Sequence, residues 1–132
     1  MKRFALLSVV AMMVATAVFA PVAMAQELGE VDIQSVVPGP EGSLRVSGTI
    51  ECAQGAGFDL YIDVRQKQGN KYRYASGYVP GPCQTDGPQP FTVTIFGESP
   101  FKKGTVLVSG SRQFCYFNCT YSQFGPETFE VR

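Results

Sequence analysis

The sequence predicts an all-β domain, a single antiparallel sandwich of about seven short strands held by disulfides. Three observations carry this expectation. Apolar residues recur at every second position in run after run, no amphipathic helical stretch appears after residue 26, and Gly and Pro gather in the gaps between the runs.

The elements follow in chain order. Val31 to Val37 forms the first. In the second, Leu44, Val46, Gly48, Ile50 and Cys52 fall on one side, with Arg45, Ser47, Thr49 and Glu51 on the other. Phe58, Leu60, Ile62 and Val64 then alternate with Asp59, Tyr61, Asp63 and Arg65. A fourth run sets Tyr72, Tyr74, Ser76 and Tyr78 against Arg73, Ala75 and Gly77. Phe91, Val93 and Ile95 alternate with Thr92 and Thr94 in the fifth, Thr105 to Ser111 makes the sixth, and a last strand lies near Thr128 to Val131. Turn signals separate them: Pro38-Gly39-Pro40-Glu41-Gly42, Gln54-Gly55-Ala56-Gly57, Gly69-Asn70, Pro80-Gly81-Pro82, Gly87-Pro88-Gln89-Pro90 and Lys102-Lys103-Gly104. Seven such strands predict an immunoglobulin-like sandwich, with a small closed barrel as the alternative. Antibody-type domains bridge their second and sixth strands over a Trp. This chain has no Trp, and the sixth strand as read carries no Cys. The expectation is the architecture, without antibody kinship.

The first 25 residues read as a secretory leader. Lys2 and Arg3 precede an apolar run from Phe4 to Ala20, Pro21 breaks it, and Ala23-Met24-Ala25 supplies the small-x-small cleavage pattern. Residues 4 to 25 could nearly span a bilayer, but the Pro break and the cleavage pattern favour removal, leaving no stable membrane anchor. The expected mature domain, 26–132, has 107 residues, with nine Lys and Arg against eleven Asp and Glu. That length suits one small core. A slightly acidic domain does not match nucleic acid, which needs clustered positive charge. The absence of His removes the usual base of hydrolytic triads and the commonest metal ligand.

Export places Cys52, Cys83, Cys115 and Cys119 in oxidising surroundings, where an even count reads as two disulfides. A zinc site would bring ligands in two close pairs, and only Cys115 and Cys119 are close, so no metal is expected. Three pairings are open, of which Cys52–Cys83 with Cys115–Cys119 is preferred. In the chain-entropy account these loops would contribute ~3.7 and ~2 kcal/mol.

Leu44-Arg45-Val46-Ser47-Gly48-Thr49-Ile50-Glu51-Cys52 has the form of a strand ending in Ser-Gly-Thr-x-x-Cys. A Gly-rich turn follows, then Asp63-Val64-Arg65-Gln66 closing an apolar strand, a lone Cys83, and Phe101-Lys102-Lys103-Gly104 opening a later strand. In these features the chain resembles a family of small, secreted, functionally uncharacterised actinobacterial proteins with an immunoglobulin-like sandwich. The likeness covers most of residues 30 to 131. It implies export, a Cys52–Cys83 disulfide and no assigned activity; Cys115 and Cys119 go beyond the pattern. A shorter likeness is to neocarzinostatin-type apoproteins, secreted seven-strand sandwiches that hold a small chromophore. It rests on Cys115 to Cys119 and Phe124-Gly125-Pro126-Glu127. That family closes a short loop where Cys52 and Cys83 would close a long one, so no chromophore or other cofactor is carried over.

Cys115-Tyr116-Phe117-Asn118-Cys119 is the sharpest candidate site. With its cysteines paired, Tyr116, Phe117 and Asn118 stand at the tip of a pre-ordered loop, with Tyr121 just beyond. The competing reading, which is preferred, folds Phe117 back as a cap on one end of the sandwich, with the disulfide merely securing the hairpin. Tyr72, Tyr74 and Tyr78 would form a platform for a sugar, peptide or flat ligand on an outer face, but core on an inner one. Because Lys71, Arg73, Ala75 and Gly77 lie on the opposite side, and Lys and Arg prefer water, the core reading is preferred. Asp59 and Asp63, four apart on a strand, stand ~13 Å from each other, too far for a glycosidase pair, and read as a solvated face. Asn118-Cys119-Thr120 fits the glycosylation pattern, but a disulfide inside it makes a poor acceptor.

No nucleophile elbow or phosphate loop appears, and disulfide-bonded cysteines leave no thiolate, so an enzyme is not expected. The expectation is a secreted binding module contacting an extracellular protein or glycan through its loop ends. The alternative is a small-molecule carrier with a cleft beside the 115–119 loop, lined by residues such as Phe96, Phe114 and Phe124. A structural role in the cell envelope is the third reading.

Overall fold

A computed structural model describes residues 27–132. The expected leader, 1–25, lies outside them. Seven strands among the described residues form two antiparallel sheets: β1 (Val31–Pro38), β2 (Leu44–Cys52), β3 (Gly57–Gln68), β4 (Lys71–Pro82), β5 (Gly87–Ile95), β6 (Gly104–Tyr116) and β7 (Asn118–Val131). One sheet has the order β1-β2-β5 and the other β4-β3-β6-β7. The fold is the expected immunoglobulin-like sandwich, and the two separate sheets set aside the closed barrel. Unlike the constant-type arrangement, where the fourth strand joins the fifth, β4 pairs with β3.

The inward-facing residues are those the alternation assigns. Leu44, Val46, Ile50 and Cys52 from β2 meet Leu60, Ile62 and Val64 from β3, Ile95 from β5, and Val106 and Val108 from β6, all essentially without solvent contact. This burial drives folding, because each such side chain contributes roughly 1.5–3 kcal/mol when taken out of water. Gln66 is the buried polar exception on β3. Its Nε2 donates to the Lys102 carbonyl at 2.7 Å and its Oε1 accepts from the Lys102 amide at 2.9 Å, so both ends are satisfied and the β5–β6 connection is fixed.

Both preferred disulfides are present, Cys52–Cys83 and Cys115–Cys119, and no cysteine is free. Cys52 closes β2 in one sheet and Cys83 follows β4 in the other, so the first bond ties the two sheets together at one end. Such a pair of bonds fits an oxidising, extracellular environment. Among the described residues no helix is long and apolar enough to cross a membrane.

Three readings of strand extent need correction. The sixth strand runs to Tyr116 and so does carry Cys115, which bonds Cys119 across a hairpin and not the second strand. The last strand begins at Asn118, ten residues before Thr128, because its exposed polar residues pair with β6 all along their length. Pro80-Gly81-Pro82 and Gly87-Pro88-Gln89-Pro90 are not turns; they lie inside β4 and β5. Both are edge strands, where a residue lacking an N–H leaves no ladder bond unmade. The same holds for Pro38 on β1 and Pro126 on β7, whereas the central strands β2, β3 and β6 contain no Pro.

Candidate functional site

The β6–β7 hairpin stays paired to its very end. Cys115 faces Cys119, Tyr116 faces Asn118, and Phe117 alone makes the reversal. Phe117 has φ +64°, the left-handed region that a bulky residue enters only at a cost of roughly 1–2 kcal/mol. Its ring is 95% exposed and rests on Tyr116, with centroids 4.6 Å apart. It does not fold back over the sandwich. Asn118 is exposed beside it, and Tyr116 is partly exposed. A glycine would adopt this backbone without strain, so an aromatic ring held here at conformational cost is a feature of the kind that marks function.

Tyr121 belongs elsewhere. It pairs with Gln113 and stands, 76% exposed, on the outward face of the four-stranded sheet. That face also carries Tyr61, Tyr72, Tyr74 and Tyr78, which corrects the core reading of the last three. All three are exposed, and it is Ala75, Gly77 and Val79 of β4 that turn inward. The reason is closeness: a Cβ on Gly77 would stand 2.8 Å from Ile95 Cγ1 and 3.0 Å from Val93 Cγ2 of the facing sheet. Only a small side chain fits there, so the tyrosines take the wet side. Arg73 keeps its half-buried inward place by donating from Nε to Gln68 Oε1 at 3.3 Å.

Cross-strand pairing assembles the face. Tyr61 of β3 lies opposite Tyr78 of β4, their rings stacked 5.0 Å apart and inclined by 29°. Asp63 lies opposite Ser76, whose Oγ donates to Asp63 Oδ1 at 2.6 Å. Arg65 lies opposite Tyr74, and its guanidinium sits 5.6 Å from the Tyr72 ring centroid. A groove of about 470 Å³ runs between Asp63, Arg65, Tyr74 and Ser76 on one side and Ser109 and Pro126 on the other. A second depression, about 460 Å³, is lined by Asp59, Pro80, Pro82 and Cys115.

Asp59 and Asp63 share this outward face as expected, each engaged by a hydroxyl of β4. The Tyr78 hydroxyl donates to Asp59 Oδ1, and that bond, ahead of desolvation and the carboxylate's charge, pushes the Tyr78 phenol up from 10.0 to about 12. A group whose pKa is raised on folding adds stability below its unfolded pKa and loses it as pH climbs through the folded one. The Tyr78–Asp59 bond therefore supports the fold up to about pH 10 and stops doing so between about 10 and 12. Asp59→Asn should lower the pKa of the Tyr78 phenol, followed by near-ultraviolet phenolate absorbance, and narrow the stability gap to the parent across that window. An unchanged titration would refute the pairing.

The three phenylalanines of the carrier reading are not brought together. Phe114 is core at 3% exposure, Phe124 is half-buried midway along β7, and Phe96 follows β5 at the opposite end of the sandwich. The depression beside the 115–119 loop is lined instead by Asp59, Pro80, Gly81 and Pro82. Among the described residues no group of three or more His, Cys, Asp or Glu converges. No protein-family model, curated protein or solved structure matches the chain.

Proposed function

We propose that the chain is a secreted, non-enzymatic binding module that contacts an extracellular protein or glycan through its hairpin tip, Tyr116, Phe117 and Asn118, with Tyr121 on the adjoining sheet face. One observation carries this reading: a nearly fully exposed Phe117 ring, held in left-handed backbone on a hairpin cross-linked one residue either side of the Tyr116–Asn118 pair. An anchor that is already ordered loses little entropy on binding, which is where loops usually lose affinity. The two disulfides and the leader pattern support export. The non-enzymatic role rests on the residue inventory, a chain without His whose four cysteines are all bonded.

The test uses Tyr116→Ala combined with Phe117→Gly. Glycine relieves the left-handed backbone, so stability should hold or rise by up to about 1 kcal/mol. Immobilised parent and variant are then exposed to a glycan array and to the proteins of the culture medium. Binding by the parent that the variant loses is the expected result. Equal binding by both would overturn the role of the tip.

A further inference from the structure

The outward face of the β4-β3-β6-β7 sheet has a chemistry of its own. Rings and short polar groups alternate along it: Tyr78 and Tyr61, then Ser76 and Asp63, then Tyr74 and Arg65. Tyr74 and Tyr78, four residues apart on one strand, stand about 13 Å from each other. The interval between them holds the Ser76 hydroxyl and the Asp63 carboxylate, the Arg65 guanidinium lies just past it beside Tyr72, and the groove lies alongside. We infer that this face is a platform for a neutral polysaccharide, with pyranose rings laid on the tyrosines and their hydroxyls bonded to Asp63, Arg65 and Ser76. The inference goes beyond the binding-module reading and rests on it, adding the sheet face as a second contact surface besides the tip.

Four features of the face favour this occupant. The apolar faces of sugar rings suit aromatic rings standing open to water, and sugar hydroxyls suit polar groups set between them. The central charges nearly cancel, Asp59 and Asp63 against Arg65 and Lys67, which gives no field to hold a polyanion. Ser76 and Tyr78 already fix the two carboxylates, so the acceptors are ordered before a ligand arrives. Strand addition by a peptide is discouraged at both edges, by Pro80 and Pro82 on β4 and by Pro126 with the register shift on β7.

The experiment is affinity electrophoresis and sedimentation of the disulfide-bonded protein with β-glucan, xylan, galactomannan, cellulose and chitin. Retention by at least one is expected. Tyr61→Ala with Tyr74→Ala should weaken it about tenfold or more, as loss of two aromatic anchors does. Tyr61→Phe with Tyr74→Phe keeps the rings and should stay within about threefold of the parent. Arg45→Ala, exposed on the other sheet, should change nothing. Tyr74→Ala alone serves as a second variant, because its 64% exposed ring at an edge strand contributes little to the fold. No retention on any of the five polymers would overturn the platform and leave the binding-module reading to its own tip assay. Retention lost with Phe117→Gly but kept in the Tyr→Ala variants would overturn it too, while sustaining a module that binds through its tip. A parent that binds only proteins of the medium, through the same tyrosines, would replace the polysaccharide with a protein partner.

Discussion

Cys52→Ala with Cys83→Ala should cost about 3.7 kcal/mol of folding free energy, the chain-entropy value for this loop. A domain of this size is stable by only about 5–15 kcal/mol, so the loss would lower Tm by about 15 °C or more. The bond spans 31 residues and joins the two sheets, whereas Cys115–Cys119 spans four and joins neighbouring strands of one hairpin. Removing the second bond should cost about 2 kcal/mol at most and leave the sandwich folded. Thermal and urea unfolding of the two double variants measures the contrast. Equal losses, or a larger loss from the short loop, would contradict it.

Gly110→Ala is expected to be similarly severe, at about 3 kcal/mol or more. Gly110 sits inside β6, where a Cβ would overlap the Tyr61 carbonyl oxygen and the Phe124 ring, well inside van der Waals distance. The ladder between β6 and β7 shifts register between Val108 and Gly110, and Phe124 packs into the space the glycine leaves. A methyl group there must displace the backbone of β3 or the ring. Gly57→Ala is the control, since its nearest neighbour, the Gly81 carbonyl oxygen, is 3.8 Å from the added Cβ. It should change stability by less than about 0.5 kcal/mol, and equal destabilisation by both variants would refute the packing argument.

Much of the fold was legible because burial on one face of a strand writes itself into the sequence at period two. Leu44 to Cys52, Phe58 to Val64 and Phe91 to Ile95 all face inward as their alternation requires. The reading failed where burial does not distinguish the two sides. On β7 both faces are largely wet, so its first ten residues carry no alternation and passed for loop. On β4 large aromatic and small residues alternate, and hydropathy alone chose the wrong side. The deciding property was volume, because Gly77 and Ala75 permit the close approach of the facing sheet and tyrosine does not. A second signal was present: the prolines that seemed to mark turns mark edges, and they separate β1, β4, β5 and β7 from the central strands. The tip was legible as a short disulfide loop, but its tautness was not, since nothing local announces that Phe117 alone makes the reversal.

The central claim is that the chain works as an exported, disulfide-closed module with its contact groups on the outside and no captive ligand. Intact mass of the protein recovered from its producer's culture medium, taken under native and denaturing conditions, tests this most directly. The account predicts the same value in both, that of residues 26–132 less four hydrogens. Mass lost on denaturation, retention of residues 1–25, or four free thiols would contradict it.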